Sequence, residues 1–158
     1  KMLVDMGITN FKWFFYGSGP LLNELQKNVK DLNLCNICFF PGNLDHHQLL
    51  KKYEDNKVSA VVISSISTDV PEGIPVSLME AMSYGIPVIA SDCGGTKELV
   101  DGQSGILVNE KDSEATANAI FRLLESHEFR RELGNNGRIK VNQDFDTMKT
   151  ASDLIKLF

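Results

Sequence analysis

The chain has 158 residues, enough for one domain with a real core and too few for two of ordinary size. With 42% hydrophobic and 23% charged residues it falls in neither the disordered nor the fibrous class, and a formal net charge of −5 argues against a nucleic-acid-binding surface. No apolar run is long enough to cross a membrane, the first residues lack the pattern of a signal peptide, and three cysteines make no disulfide framework, so a reducing cytoplasmic setting is expected.

Residues 1–6 read as the tail of a helix closed by Gly7, and the aromatic run 12–16 reads as a strand buried on both faces. Gly17-Ser18-Gly19-Pro20 breaks it, and residues 21–32 carry apolar side chains at helical spacing. A second strand covers 37–40 and ends at Pro41-Gly42. Asp45 followed by Gln48 resembles a capping box opening a helix to about residue 53. Residues 59–64 form another buried strand, 75–84 a helix, 87–90 a strand, and 105–108 a further strand after a short helix ending at Val100. Asp112 starts a helix to about residue 126, with more helix in the C-terminal part. Strand–helix alternation at this spacing predicts an α/β fold, a doubly wound parallel sheet with helices on both faces. Cys35 and Cys38 have metal-ligand spacing, but no second ligand pair follows, so one or both are read as thiols on a half-buried strand.

Ligands of such sheets bind at the carboxyl ends of the strands. Gly17 and Gly19 open a helix there, which suits a phosphate, although Leu22 stands where a dinucleotide fingerprint needs its third glycine. The segment from Val70 to Pro87 carries more. Pro75 suits the first turn of a helix and Gly85 the position just past its end, so Glu72 falls in the loop and Glu80 within the helix. Glu80 has Leu78, Met79, Ala81 and Met82 around it, so the helix is expected to be buried almost all round. A carboxylate there needs donors: ribose hydroxyls would serve, and so would a backbone amide or a buried Arg. The amides of Ile74, Val76 and Ser77, at the helix N-terminus beside Glu72 and Gly73, suit a sugar hydroxyl or phosphate oxygen. Taken alone, Glu72 reads better as a capping carboxylate. His46 and His47, in the first turn of a helix, are read as solvated.

Together these residues resemble the donor-binding motif of the retaining, GT-B-type glycosyltransferases, a Glu, seven residues, and a second Glu followed by Ala-Met. Glu72 and Glu80 match it, with Ala81-Met82, Gly85, Pro87-Val88-Ile89 and Gly94-Gly95 in place. Gly17-Ser18-Gly19-Pro20, Phe40-Pro41-Gly42, Glu98-Leu99-Val100 with Gly102, and 105–108 extend the resemblance over nearly the whole chain. It implies that residues 1–158 are the C-terminal, nucleotide-sugar-binding, Rossmann-like half of a GT-B fold. The acceptor-side domain and the first strand of this domain, with the Arg and Lys that clamp the diphosphate, are absent. The chain begins without Met, which fits a piece of a longer protein.

By the same resemblance Glu72 is the catalytic-face residue at the donor sugar, and Glu80 binds the ribose. Gly17, Gly19, Gly73, Ile74, Val76 and Ser77 surround sugar and phosphate, while Asn43 and Leu44 sit beside the base. No metal or other cofactor is expected; the substrate is a nucleotide-diphosphate sugar, its glycosyl group passed with retention to a glycan or lipid-linked acceptor in bacterial surface-polysaccharide synthesis. The partners implied are that donor and the missing domain, through which the enzyme would touch a membrane peripherally; the isolated segment is expected to be inactive. Ile74-Pro75 replaces the usual aromatic-Gly pair after Glu-Gly, and Pro75 has no N–H to offer. Two alternatives stay open: a nucleotide-sugar epimerase of the same architecture, and a non-catalytic nucleotide- or partner-binding module.

Overall fold

The computed structural model describes residues 1–67 and 73–145. Glu72 and the helical sequence expected beyond residue 145 lie outside them. Two compact units divide the chain, Lys1–Lys51 and Lys52–Phe158.

The first unit contains α1 (Met2–Asp5), β1 (Trp13–Tyr16), α2 (Leu22–Asp31), β2 (Cys38–Gly42) and the start of α3 (His46–Glu54), which runs across the division. β1 and β2 pair in parallel, Trp13 opposite Cys38 and Phe14 opposite Phe39, with an irregularity before Tyr16 meets Gly42. Cross-strand rings stack on both faces: Phe14 on Phe39 at 5.3 Å and Phe15 on Phe40 at 4.8 Å between centroids. Such pairs stabilise a sheet by about 1 kcal/mol each beyond the area they bury. The aromatic run is not buried on both faces, as its composition led us to expect. It alternates, and Phe14 and Tyr16 are 47% and 38% exposed. β2 also runs on through Pro41-Gly42 rather than stopping before it. The missing N–H of Pro41 is tolerable on a strand that, among the described residues, pairs only with β1. Half of the expected capping box is present, Gln48 N–H donating to Asp45 Oδ1 at 2.8 Å.

The second unit holds β3 (Val61–Ile63), α4 (Val76–Ser83), β4 (Val88–Ser91), α5 (Thr96–Leu99), β5 (Ile106–Val108), α6 (Ser113–Glu125) and α7 (His127–Asp144). Its sheet has the order β3-β4-β5, parallel throughout. The central strand is buried at every position. Register places Val62, Ile89 and Ile106 on one face. There they pack with Ala115, Ala119 and Leu123 of α6 and Leu133 of α7. β3 is shorter and less buried than expected, because among the described residues it pairs only with β4, at the edge of this sheet.

α4 ends as its sequence predicts. Gly85 N–H donates to the Met82 carbonyl at 2.8 Å and Ile86 N–H to the Ala81 carbonyl at 3.0 Å, the two bonds of a Schellman motif. Gly85 takes φ of 71°, which a side chain would resist. α7 lies against this end: a Cβ on Gly134 would collide with the Gly85 carbonyl oxygen, and one on Gly137 would sit 2.8 Å from the Ser104 carbonyl oxygen. Between α5 and β5, Asp101 Oδ1 accepts from the amides of Gln103 and Ser104 and from the Ser104 hydroxyl at 2.8 Å. Its other oxygen pairs with Lys140 Nζ at 3.2 Å. Burial would push this carboxyl up, but the Ser104, Lys140 and Gln103 hydrogen bonds outweigh it and hold its pKa at about 2.

Candidate functional site

Three strand ends of the second unit lie side by side: the loop leaving β3, the loop leaving β4 at Asp92–Gly95, and the loop leaving β5 at Asn109–Lys111. The loop from β3 returns at Gly73 and enters α4. Pro75, with ψ of 116°, is the residue just before the helix rather than its first turn. Its carbonyl accepts from the amides of Leu78 at 3.1 Å and Met79 at 3.3 Å. Among the described residues no side chain caps α4, and the amides of Ile74, Val76 and Ser77 find no acceptor. Asp112 and Ser126, by contrast, cap α6 and α7 through their side chains. The positive end of α4 therefore presents amide donors where a negative oxygen is favoured.

Gly73 and Ile74 are seated on Gly95. An ideal Cβ at Gly95 would lie 3.0 Å from Ile74 Cγ1, 3.1 Å from its nitrogen and 3.3 Å from the Gly73 carbonyl carbon, so a side chain there would press the two loops apart by a few tenths of an ångström. Further along α4, Leu78, Ala81 and Met82 are fully buried, whereas Val76 is 61% exposed. The helix is thus buried along one side and open on the other, not apolar all round, because Ser77, Ser83 and Tyr84 face out. Glu80 is half-buried. Tyr53 and Tyr84, 5.7 Å apart between ring centres, lie in its field: burial first and then the Glu80 charge raise the Tyr53 phenol. The Tyr84 hydroxyl donates to Glu54 at 3.3 Å.

One pair was not anticipated from sequence. The Glu110 carboxylate accepts the Ser67 backbone N–H at 3.0 Å and, with its other oxygen, the Ser67 hydroxyl. These bonds hold the Glu110 carboxyl below its ordinary range. The segment after Val108 is recognisable as a strand end, but nothing in its composition marks Glu110 as a partner for a residue 43 positions earlier.

In the first unit, the predicted positions also fall at strand ends. Gly17 N–H donates to the Gly42 carbonyl at 3.0 Å, Leu22 N–H to the Gly19 carbonyl at 3.1 Å, and Asn43 and Leu44 follow β2. A cavity of about 460 Å³, lined by Lys97, Val100, Asp101, Ile106, Arg122 and Phe129 among others, opens at the amino end of β5, away from the strand-end loops. Among the described residues no His, Cys, Asp or Glu cluster is arranged for a metal, and no helix is long and apolar enough to cross a membrane. Cys38 is half-buried, and burial raises its thiol pKa.

Parallel strands joined through helices, with an open helix N-terminus beside the central strand end, make this an α/β protein, and its solved structural neighbours are GT-B glycosyltransferases. The chain belongs to the family described as Glycosyl transferases group 1, which it matches over residues 3–140. It is 32% identical, over 99% of its length, to WcaL of Salmonella typhimurium strain LT2, a protein named for glycosyl transfer in colanic acid biosynthesis. It spans 39% of that relative. Among solved structures, the sucrose-phosphate synthase of Thermosynechococcus elongatus matches 99% of the chain at 30% identity and a TM-score of 0.78, with 40% of that enzyme covered. HepE of Anabaena, solved with UDP, matches 93% of the chain at 25% identity and a TM-score of 0.76, again with 40% covered.

Proposed function

We propose that this chain is the donor-binding part of a glycosyltransferase and that its ligand is a nucleotide-diphosphate sugar. The observation that carries the reading is the start of α4, where the uncapped amides of Val76 and Ser77 stand two turns or less from the half-buried carboxylate of Glu80. Amides at a helix N-terminus stabilise the charge that builds on a leaving diphosphate, and a carboxylate accepts from both vicinal hydroxyls of a ribose. HepE binding UDP in the same fold supports this choice of ligand. Glu72, one residue before Gly73, is the proposed contact to the donor sugar at its reacting face. In the whole protein the sugar would pass, with retention, to a glycan or lipid-linked acceptor held by a preceding domain. WcaL points to a bacterial surface polysaccharide as product. Transfer needs no metal in this reading, and the enzyme would work in the cytoplasm, at most peripherally on a membrane.

Calorimetric titration with UDP and GDP tests the proposal. We expect saturable binding of one of them, weakened about 10- to 100-fold by Glu80→Ala, the effect of deleting a charged acceptor. No saturable binding by the parent, or binding unchanged by Glu80→Ala, would overturn it.

A further inference from the structure

We propose that the cavity at the amino end of β5 binds a small organic phosphate monoester, at a site apart from the strand-end loops and independent of the donor-binding reading. Four elements line it: α5 brings Lys97, α6 brings Arg122, α7 brings Phe129, and β5 brings Ile106 and Leu107. Its volume of about 460 Å³ falls within the range of small-molecule sites. Among the described residues neither Lys97 nor Arg122 has an ion-pair partner, in a chain whose formal net charge is −5. Asp101 also lines the cavity, but Lys140 Nζ at 3.2 Å matches its charge. Two positive charges are thus left facing one cavity without compensation.

The chemistry of these groups selects the ligand. The Arg122 guanidinium carbon lies 4.5 Å from the centre of the Phe129 ring, a contact that steadies a long side chain and leaves its N–H groups available to an acceptor. A third donor comes from the backbone. Asp92 N–H donates to the Val108 carbonyl at 2.8 Å, so Val108 turns its peptide groups towards β4, and Leu107, one residue earlier, turns its own away. Among the described residues β5 pairs only with β4, which leaves the Leu107 N–H on an open edge of the strand that lines the cavity. Two cations and an amide match a phosphate group carrying two charges, whereas a carboxylate would leave one cation unmatched. Ile106 and Phe129 offer apolar surface to the body of an ester, which inorganic phosphate lacks.

The test uses the full chain with phenyl phosphate as probe, followed by calorimetry and by the NMR shifts of backbone amides. We expect saturable binding with a Kd on the order of 1 mM or tighter, and a shift of the Leu107 amide on binding. Arg122→Gln and Lys97→Ala should each weaken it about three- to tenfold, and Arg122→Lys, which keeps the charge, should weaken it less. Lys97 is exposed, so Lys97→Ala keeps the test intact even if Arg122→Gln disturbs the packing on Phe129, which melting curves of each variant check. Benzenesulfonate, of similar shape but with a single charge, and inorganic phosphate, without the apolar body, should both bind more weakly than phenyl phosphate. Glu80→Ala should leave phenyl phosphate binding as it is in the parent. No saturable binding up to about 10 mM overturns the proposal, as does binding that Lys97→Ala and a folded Arg122→Gln both leave unchanged. Binding that shifts the amides of Val76 and Ser77 while Leu107 stays still places the probe at the start of α4 and overturns it too. Benzenesulfonate binding as tightly as phenyl phosphate overturns the choice of a doubly charged ligand. The donor reading is tested with UDP, so either can fail while the other stands.

Discussion

Asp101 closes the turn into β5 with three donors on one oxygen and Lys140 on the other. Its pKa of about 2 lies below the value near 3.9 of an unfolded chain. The stability it contributes is therefore fully present above about pH 4 and is lost as pH falls towards 2. Its side chain is 47% exposed, so screening limits the contribution to roughly 1 kcal/mol. We expect Asp101→Asn to lower the melting temperature at pH 6 and to flatten its decline between pH 4 and 2; circular dichroism melts across that range check both. A variant melting curve parallel to the parent's throughout would show that the turn does not depend on this charge.

At the scale of elements, the contact of α7 with the end of α4 makes the sharpest demand. Alanine normally improves a helix interior by about 1 kcal/mol over glycine. At Gly134 the new Cβ meets a backbone carbonyl, which cannot rotate away as a side chain could. Overpacking of that kind costs about 1–3 kcal/mol or more, so Gly134→Ala should be destabilising overall, by about 2 kcal/mol in a urea titration. The elements themselves were largely legible in the sequence. Helical spacing gave α2, Asp112 gave α6, and Gly85 with Pro87 gave the end of α4. What escaped was set by tertiary context. The aromatic run of β1 carries no polar residue to mark its open face, and hydropathy cannot show that β3 is an edge. Within the candidate site, Glu80 and the amides of α4 could be read from local pattern, because glycine, proline and a periodic helix are local signals. Glu110 could not, since its partner is fixed only when the sheet brings two distant loops together.

For the whole molecule, donor binding and sugar transfer are expected to separate. The chain spans 39% of WcaL. We expect the 158-residue chain to bind the nucleotide but to release no transferred sugar when given a UDP-sugar and a glycan or lipid-linked acceptor. Chromatographic detection of glycosylated acceptor checks this, and turnover by the isolated chain would place catalysis within it.

The central position of β4 also shapes how the second unit must fold. Its partners, Val61 to Ile63 before it and Ile106 to Val108 after it, are both distant in sequence, and neither is joined to it by a tight turn. The sheet cannot zip outward from a hairpin. Each pairing waits for a helical crossover to close a long loop, so chain-closure entropy falls early and the reward arrives late. The buried run Val88-Ile89-Ala90-Ser91 is then the strand whose release undoes two pairings at once. Slow assembly and cooperative opening of this unit are the expected consequences.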